Sequence, residues 1–375
     1  MSTISHKFKI LCVVGTRPNF IKVSPLIKRI KKENIFKGLL VHTGQHYDYE
    51  MSGSFFKRME IPEPDYNLNI KSNLHGEQTG KIMIEFEKIC LKENPDLIIV
   101  LGDVNSTLAA ALVAAKLNIL LAHVESGLRS FDAAMPEEIN RILTDRISDF
   151  LFVSESSGIN NLKKEGIFSE KIFYVGNIMI DSLVNFKEKI SHQKVFNQFN
   201  IKKNNYGVVT IHRPANVDNK RKLKRILNFL KKTSKKNPLV FPIHPRTLNN
   251  IKKFNIKIKN PNLFITDPLD YIKMISLISD SKFVITDSGG IQEETTFLDI
   301  PCFTLRDNTE RPITIQKGTN TLIDLNNNQS LKKISSFLEK PRIRKRKDKI
   351  KFWDGKTTNR IIKIIKNYFY EKRNS

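Results

Sequence analysis

Cysteine and tryptophan are scarce in this chain: its 375 residues hold three cysteines and one tryptophan. Cys12, Cys90 and Cys302 lie in apolar surroundings without metal-ligand spacing, so the sequence predicts a reducing, cytoplasmic setting and no bound metal. Long apolar runs are missing as well. The longest, Leu108 to Val124, is broken by Lys116 and Asn118 into a helix followed by a strand, and the N-terminus has no apolar stretch long enough for a secretory signal. Membrane insertion is therefore not expected. Repeats, low-complexity tracts and heptad seams are absent. The first strand-to-helix turn, in VVGTRPNFIKVSPLI (residues 13–27), holds one glycine where a dinucleotide fingerprint needs two more, which excludes NAD at that turn.

Positive charge is abundant instead. The net charge is +25, and from Leu331 onward 16 basic residues face 4 acidic ones, which puts about half of the excess in the last 45 residues. Such an excess raises the question of a nucleic-acid or anionic-surface partner. The run RIRKRKDKIK has no interleaved aromatics to stack on bases, and the lysines fall mostly on polar helix faces. The charge is read as solvated surface, with no nucleic-acid partner.

Forty percent apolar content and alternating strand and helix patterns indicate an α/β protein of two ordinary domains. Strand-like segments recur near Ile10, Gly38, Leu97, Ile119 and Phe150, and a second series runs from Val208 through Leu239, Leu263 and Phe283 to Cys302. Between them KEKISHQKVFNQFNIKKNN is polar and poor in β-branched runs. It sets the boundary near residues 185–205 and gives domains of 1–185 and 186–350. Two such halves imply a ligand at the carboxyl ends of their strands.

The residues at those strand ends carry the chemistry. Arg17 and Pro18 open a helix whose N-terminal N–H groups favour an anion. In FVITDSGGIQEETTFL a strand leads through Ser288, Gly289 and Gly290 into a helix opening with Ile291. That is either a diphosphate cradle or a ligand-free glycine turn, and Glu294 either reaches a ribose diol or complements the helix dipole. VTIHRPANVD ends a strand with His212 and Arg213, and His244 and Arg246 repeat the pattern in FPIHPRT; together they suggest a cationic pocket that eases a leaving group's departure. The first half supplies acids: Asp103 in VLGDVNS, Glu125 beside Arg129 in LAHVESGLRS, and Glu137 and Glu138 in MPEEINR. Crowded carboxylates can act as general acids or bases.

Assembled in this order, GTRPNFIK, HTGQHYD, GDVNST, HVESGLRS, MPEEINR, VGNIMID, HRPANVD, TDSGGIQEE and RDNTERP give a chain that resembles the non-hydrolysing UDP-N-acetylglucosamine 2-epimerases to about residue 325. The resemblance implies two Rossmann-like domains facing across a cleft, the GT-B arrangement, with a final helix at about residues 355–375 packing back on the first domain. It implies that Arg17, Lys22, His212, Ser288, Gly289, Gly290 and Arg311 hold or surround the UDP group, with Arg213 and His244 of the strand-end pattern beside them as substrate-binding residues, that Glu294 takes the ribose, and that the uracil lies at DPLDYIKM, with Met274 where relatives often have phenylalanine. Asp103, Glu125 and Glu137 match the family's catalytic acids, two of which are expected to exchange the C2 proton while His212 steadies the diphosphate.

The implied reaction removes UDP from C1 and the proton from C2 of a UDP-N-acetylhexosamine, and then returns both with C2 inverted. It requires no metal and no redox cofactor. Departures stand at Asn19, in HTGQHYD and in HRPANVD; in bacterial members these regions contribute to a second, activating UDP-sugar site, so that regulation is not implied here. Similar variants occur in relatives acting on sugars modified at C3 or C6. Relatives are commonly dimers, though no stretch commits this chain to a homodimer. A hydrolysing 2-epimerase and a GT-B glycosyltransferase are the rival readings.

Overall fold

Branched aliphatic residues fill the strands of two parallel sheets, each in its own unit of the chain. The structure, a computed structural model, describes residues 7–45, 56, 59–71, 74–339 and 348–374. Most of RIRKRKDKIK, and HTGQHYD beyond Gln45, fall outside them. One unit lies within residues 1–185 and 351–375, the other within 186–350.

In the first unit β1 (Phe8–Val14), β2 (Phe36–His42), β3 (Tyr66–Asn67), β4 (Leu97–Leu101), β5 (Leu120–Ser126), β6 (Phe150–Val153) and β7 (Ile172–Tyr174) form a sheet in the order β3-β2-β1-β4-β5-β6-β7. Every pairing is parallel, with Ile10 opposite Leu97 and Leu97 opposite Leu120. Helices cover both faces of such a sheet, which is why β4 reads LIIVL and is buried along its whole length. The second unit repeats the plan with β8 (Gly207–Thr210), β9 (Leu239–Pro242), β10 (Leu263–Thr266), β11 (Phe283–Thr286), β12 (Cys302–Thr304) and β13 (Asn320–Leu322), ordered β10-β9-β8-β11-β12-β13. The strand order reverses between β1 and β4, and again between β8 and β11. In doubly wound sheets those reversal points open a crevice at the strands' carboxyl ends.

The Arg17–Lys32 helix carries Pro25 in its interior, where proline cannot donate to the carbonyl of Ile21. The hydroxyl of Ser182 donates to that carbonyl instead, at 2.8 Å, and ties the Ile178–Asn185 helix to it. The last helix, Thr357–Asn374, belongs to the first unit. Its first N–H groups, on Thr357 and Thr358, donate to the buried carboxylate of Asp181 at 3.0 and 2.7 Å, and Phe369 stacks on Phe8 at 4.3 Å. No helix among the described residues is long and apolar enough to cross a membrane.

Candidate active site

Where β1 and β4 diverge, the chain turns at Gly15 and Gly102. Each turn leads into a group of chemically capable side chains. Arg17, half-buried, is the first residue of its helix, and Lys22 lies one turn on and is buried. The ammonium of Lys22 meets Glu125 Oε2 at 2.5 Å, with both side chains almost wholly shielded. Glu125 is the residue at which β5 slips register against β6, between Val124 and Ser126, and its φ is +71°. A bulged, left-handed glutamate is costly, and bulges cluster beside active sites because they re-aim a side chain. Its second oxygen, Oε1, is buried with no hydrogen-bond partner among the described residues. A Cβ added at Gly102 would lie 3.6 Å from Glu125 Oε2, so this carboxylate sits against the turn that carries Asp103.

The Pro136–Ile147 helix fixes the rest of this cluster. Glu137, Asn140, Arg141 and Thr144 recur on one helix face; the last three are buried, while Glu137 in the first turn is exposed. Asn140 donates to the carbonyl of Asp103 at 2.9 Å. Arg141, among the largest fully buried side chains, pairs with Asp103 and donates to Glu138 Oε2 from Nε at 2.9 Å and Nη2 at 2.6 Å. Glu138 in turn accepts from the N–H groups of Ser130 and Phe131, at 3.0 and 2.7 Å. Burial alone would raise the Glu138 carboxyl; the Ser130 N–H, Arg141 and the Phe131 N–H outweigh it and hold it below its ordinary value. The neighbouring pair Glu137 and Glu138 thus divides into one solvent-facing and one structural carboxylate.

A second buried network supports the turn from behind. His123 donates from Nε2 to the carbonyl of Gly102 at 2.7 Å and meets Asp145 Oδ1 through Nδ1 at 2.6 Å. Arg129 reaches Asp145 Oδ2 at 2.7 Å and forks onto Glu165 at 2.8 and 2.7 Å, so this arginine is committed to structure. Although desolvation pushes Asp145 upward, His123 and Arg129 together keep it below the ordinary carboxylate value.

In the second unit the reversal point lies between β8 and β11. His212 and Arg213 follow β8, and both backbone N–H groups donate to the buried carboxylate of Asp287, at 3.1 and 3.0 Å. His212 Nδ1 lies 3.2 Å from the same carboxylate, while 40% of its side chain remains exposed. Burial would raise Asp287; His212, Asn216 and the Arg213 N–H hold it below its ordinary value. The His244 ring lies 5.3 Å from that of His212. Arg246 differs from the expected ligand contact: it forks onto Asp218 at 2.9 and 2.5 Å and serves the surface.

The helix after β11 begins at Gly289, two residues earlier than the expected Ile291, because Ser288 takes the cap position. Gly289 has a steric reason to be glycine. A Cβ there would come within 2.6 Å of both Arg311 Nη1 and Glu310 Oε1. Arg311 pairs with Glu293 at 2.8 Å and Glu310 at 2.5 Å, and Glu310 also meets Arg306 at 2.8 Å and Arg213 at 3.6 Å. Burial opposes ionisation of Glu310, but Arg311, Arg306 and Arg213 overcome it and push its carboxyl far below the usual range. Three guanidiniums are thereby anchored near a helix N-terminus, an arrangement suited to a diphosphate. Glu294 is buried and hydrogen-bonds the Tyr271 hydroxyl, whose proton is held well above the usual value by burial and that carboxylate. Met274, half-buried, follows on the same Tyr271–Ser279 helix as Tyr271.

The family model described as UDP-N-acetylglucosamine 2-epimerase matches residues 28–366. The chain belongs to the UDP-N-acetylglucosamine 2-epimerase family. It is 46% identical over 365 residues to the UDP-N-acetylglucosamine 2-epimerase of Methanocaldococcus jannaschii, covering 95% of this chain and 98% of the relative. A crystal structure of the M. jannaschii enzyme in complex with UDP-GlcNAc and UDP superposes with a TM-score of 0.87 at 44% identity, covering 96% of this chain and 100% of that one. The UDP-2,3-diacetamido-2,3-dideoxy-D-glucuronate 2-epimerase of Pseudomonas aeruginosa is 42% identical over 318 residues, 84% of this chain and 88% of that relative. With these relatives the fold class is that of two Rossmann-like α/β domains of the GT-B type.

Sequence reasoning singled out Asp103, Glu125, His212 and the Ser288–Gly290 turn, but not their supports. Arg141, His123, Asp145, Asp287 and Glu310 hold the candidate groups in place. Only Arg141 had a readable signal, its spacing of three and four residues from the two glutamates of MPEEINR.

Proposed function

We propose that the protein is a non-hydrolysing 2-epimerase acting on a UDP-N-acetylhexosamine. The C2 hydrogen of such a sugar is not adjacent to a carbonyl, so its direct removal as a proton is prohibitively hard. In the proposed path the C1–O bond to UDP breaks with its electron pair leaving on the phosphate, and a carboxylate takes the C2 proton, giving a 2-acetamidoglucal and UDP. Protonation of C2 from the opposite face and return of UDP to C1 complete the inversion. All atoms are recovered, and neither water nor an oxidant is consumed.

The observation that carries this reading is Glu125: a strained, bulged carboxylate against the turn that carries Asp103, with Lys22 on one oxygen and no hydrogen bond on the other among the described residues. Glu125 exchanges the C2 proton together with Asp103 or Glu137. His212, held by Asp287, steadies the departing diphosphate, with Arg17, Arg213, His244, Arg311 and the Ser288, Gly289 and Gly290 turn around it. Lys22, expected at the UDP group, pairs with Glu125 Oε2 and so also sets the position of that carboxylate. Glu294 takes the ribose in exchange for Tyr271, and the uracil lies by Met274.

The P. aeruginosa relative acts on a 2,3-diacetamido uronate, so the sugar's C3 and C6 substituents are tested by a panel. Incubation with UDP-N-acetylglucosamine, its mannosamine epimer and the diacetamido uronate in deuterated water is expected to place deuterium at C2 of a UDP-linked product. Free N-acetylmannosamine accumulating with UDP would establish the hydrolysing reaction instead. Sugar transfer only in the presence of an acceptor would establish a glycosyltransferase.

A further inference from the structure

Among the described non-glycine residues with positive φ, six are asparagines and one is an aspartate, the types that tolerate the left-handed region. Two are phenylalanines, for which it is a true outlier. Phe352, at +62°, has its ring covered by the Arg360 guanidinium at 4.2 Å and met edge-on by Tyr174 at 5.1 Å, so packing compensates the strain. Phe131, at +56°, is 80% exposed, and no aromatic or cationic side chain among the described residues covers its ring. The chain thus holds a bulky apolar side chain in a glycine-like conformation and then leaves it in water.

The device that imposes the conformation is the one that positions the acids. Glu138 accepts from the Ser130 and Phe131 N–H groups at once, and Arg141 grips Glu138, the Ser130 hydroxyl and Asp103 together. Phe131 is consequently one peptide from the network that fixes Asp103, and it lies on the loop that leads into Glu137. Backbone strain that the surrounding structure holds in place clusters at ligand and active sites.

We infer that Phe131 is a sugar-contacting residue: its ring packs on the apolar C–H face or acetamido methyl of the hexosamine and so helps to select N-acetylated UDP-sugars. This rests on the epimerase reading above. UDP alone lacks the group the ring would touch, which gives a clean comparison.

The test uses the full-length protein and the variants Phe131→Gly, Phe131→Leu and Phe131→Tyr. Relief of the left-handed strain is expected to raise the melting temperature of Phe131→Gly by about 2–4 °C. The same variant is expected to bind UDP-N-acetylglucosamine about three- to tenfold more weakly by calorimetry, with UDP affinity unchanged, and Phe131→Tyr is expected to restore the wild-type value. Equal loss of UDP and UDP-N-acetylglucosamine affinity, or no loss of either, would overturn the inference. So would a changed sedimentation coefficient for Phe131→Gly, which would make the ring part of a self-association face with the exposed Ile139, Ile142 and Leu143. Because the readout is binding, it decides the role of Phe131 even if C2 exchange fails in the wild type, an outcome that would count against the epimerase reading alone.

Discussion

Glu125 and Lys22 concentrate the chemistry at the scale of single residues. Their pair is buried, so removing either partner leaves the other group without its counter-charge. Lys22→Met leaves a carboxylate stranded in a dry site and is expected to cost about 3–5 kcal/mol in denaturant unfolding. Adding Glu125→Gln should recover part of that loss, a coupling read by the double-mutant cycle; strictly additive losses would deny the pairing. Glu125→Gln alone is expected to slow C2 deuterium uptake by about 10²–10⁴-fold while UDP affinity stays near wild type. Exchange at the wild-type rate in this variant would remove Glu125 from the mechanism.

At the scale of elements, each reversal-point turn assembles one candidate cluster within its own sheet. Gly289 shows how little room they leave. Gly289→Ala forces a methyl against Arg311 and Glu310, and it is expected to cost about 1–3 kcal/mol of stability and to weaken UDP binding measured by calorimetry. An alanine variant with wild-type affinity would show that the turn is not a phosphate cradle. The apolar runs that end in His212, Ser288, Asp103 and Glu125 were legible because parallel strands buried on both faces read as near-continuous β-branched segments. The two- and three-residue strands β3, β7 and β13 were not, since so short a segment has no periodicity. The bulge at Glu125 was equally hidden: it arises from register against β6, a long-range property that no local pattern encodes. Resemblance named the acids, but only the coordinates separated exposed Glu137 from buried Glu138.

Across the whole molecule, buried carboxylates held ionised by cations and backbone N–H groups recur in both units. Asp145 and Glu138 in the first, and Asp287 and Glu310 in the second, are all depressed below their ordinary values. A group with a lowered folded-state pKa contributes stability above its unfolded pKa and loses that contribution as the pH falls toward the folded one. Urea midpoints are therefore expected to be steady near neutrality and to drop as the pH passes below about 4, where unfolded carboxylates begin to bind protons. A midpoint insensitive to pH between 5 and about 2.5 would contradict these networks. The cysteines give an independent check. Burial pushes the thiols of Cys12 and Cys90 up to about 12 and that of Cys302 up to about 11, so none should react with iodoacetamide at neutral pH until the chain unfolds.

In the proposed reaction UDP leaves C1 and returns, with cations holding the departing diphosphate while carboxylates exchange the C2 proton. A substrate carrying heavy oxygen in the bridge between C1 and the β-phosphorus tests it most directly. During turnover the label is predicted to scramble into the non-bridging positions of the β-phosphate, because free rotation of enzyme-held UDP makes its terminal oxygens equivalent. A label that stays in the bridge while deuterium accumulates at C2 would contradict the account.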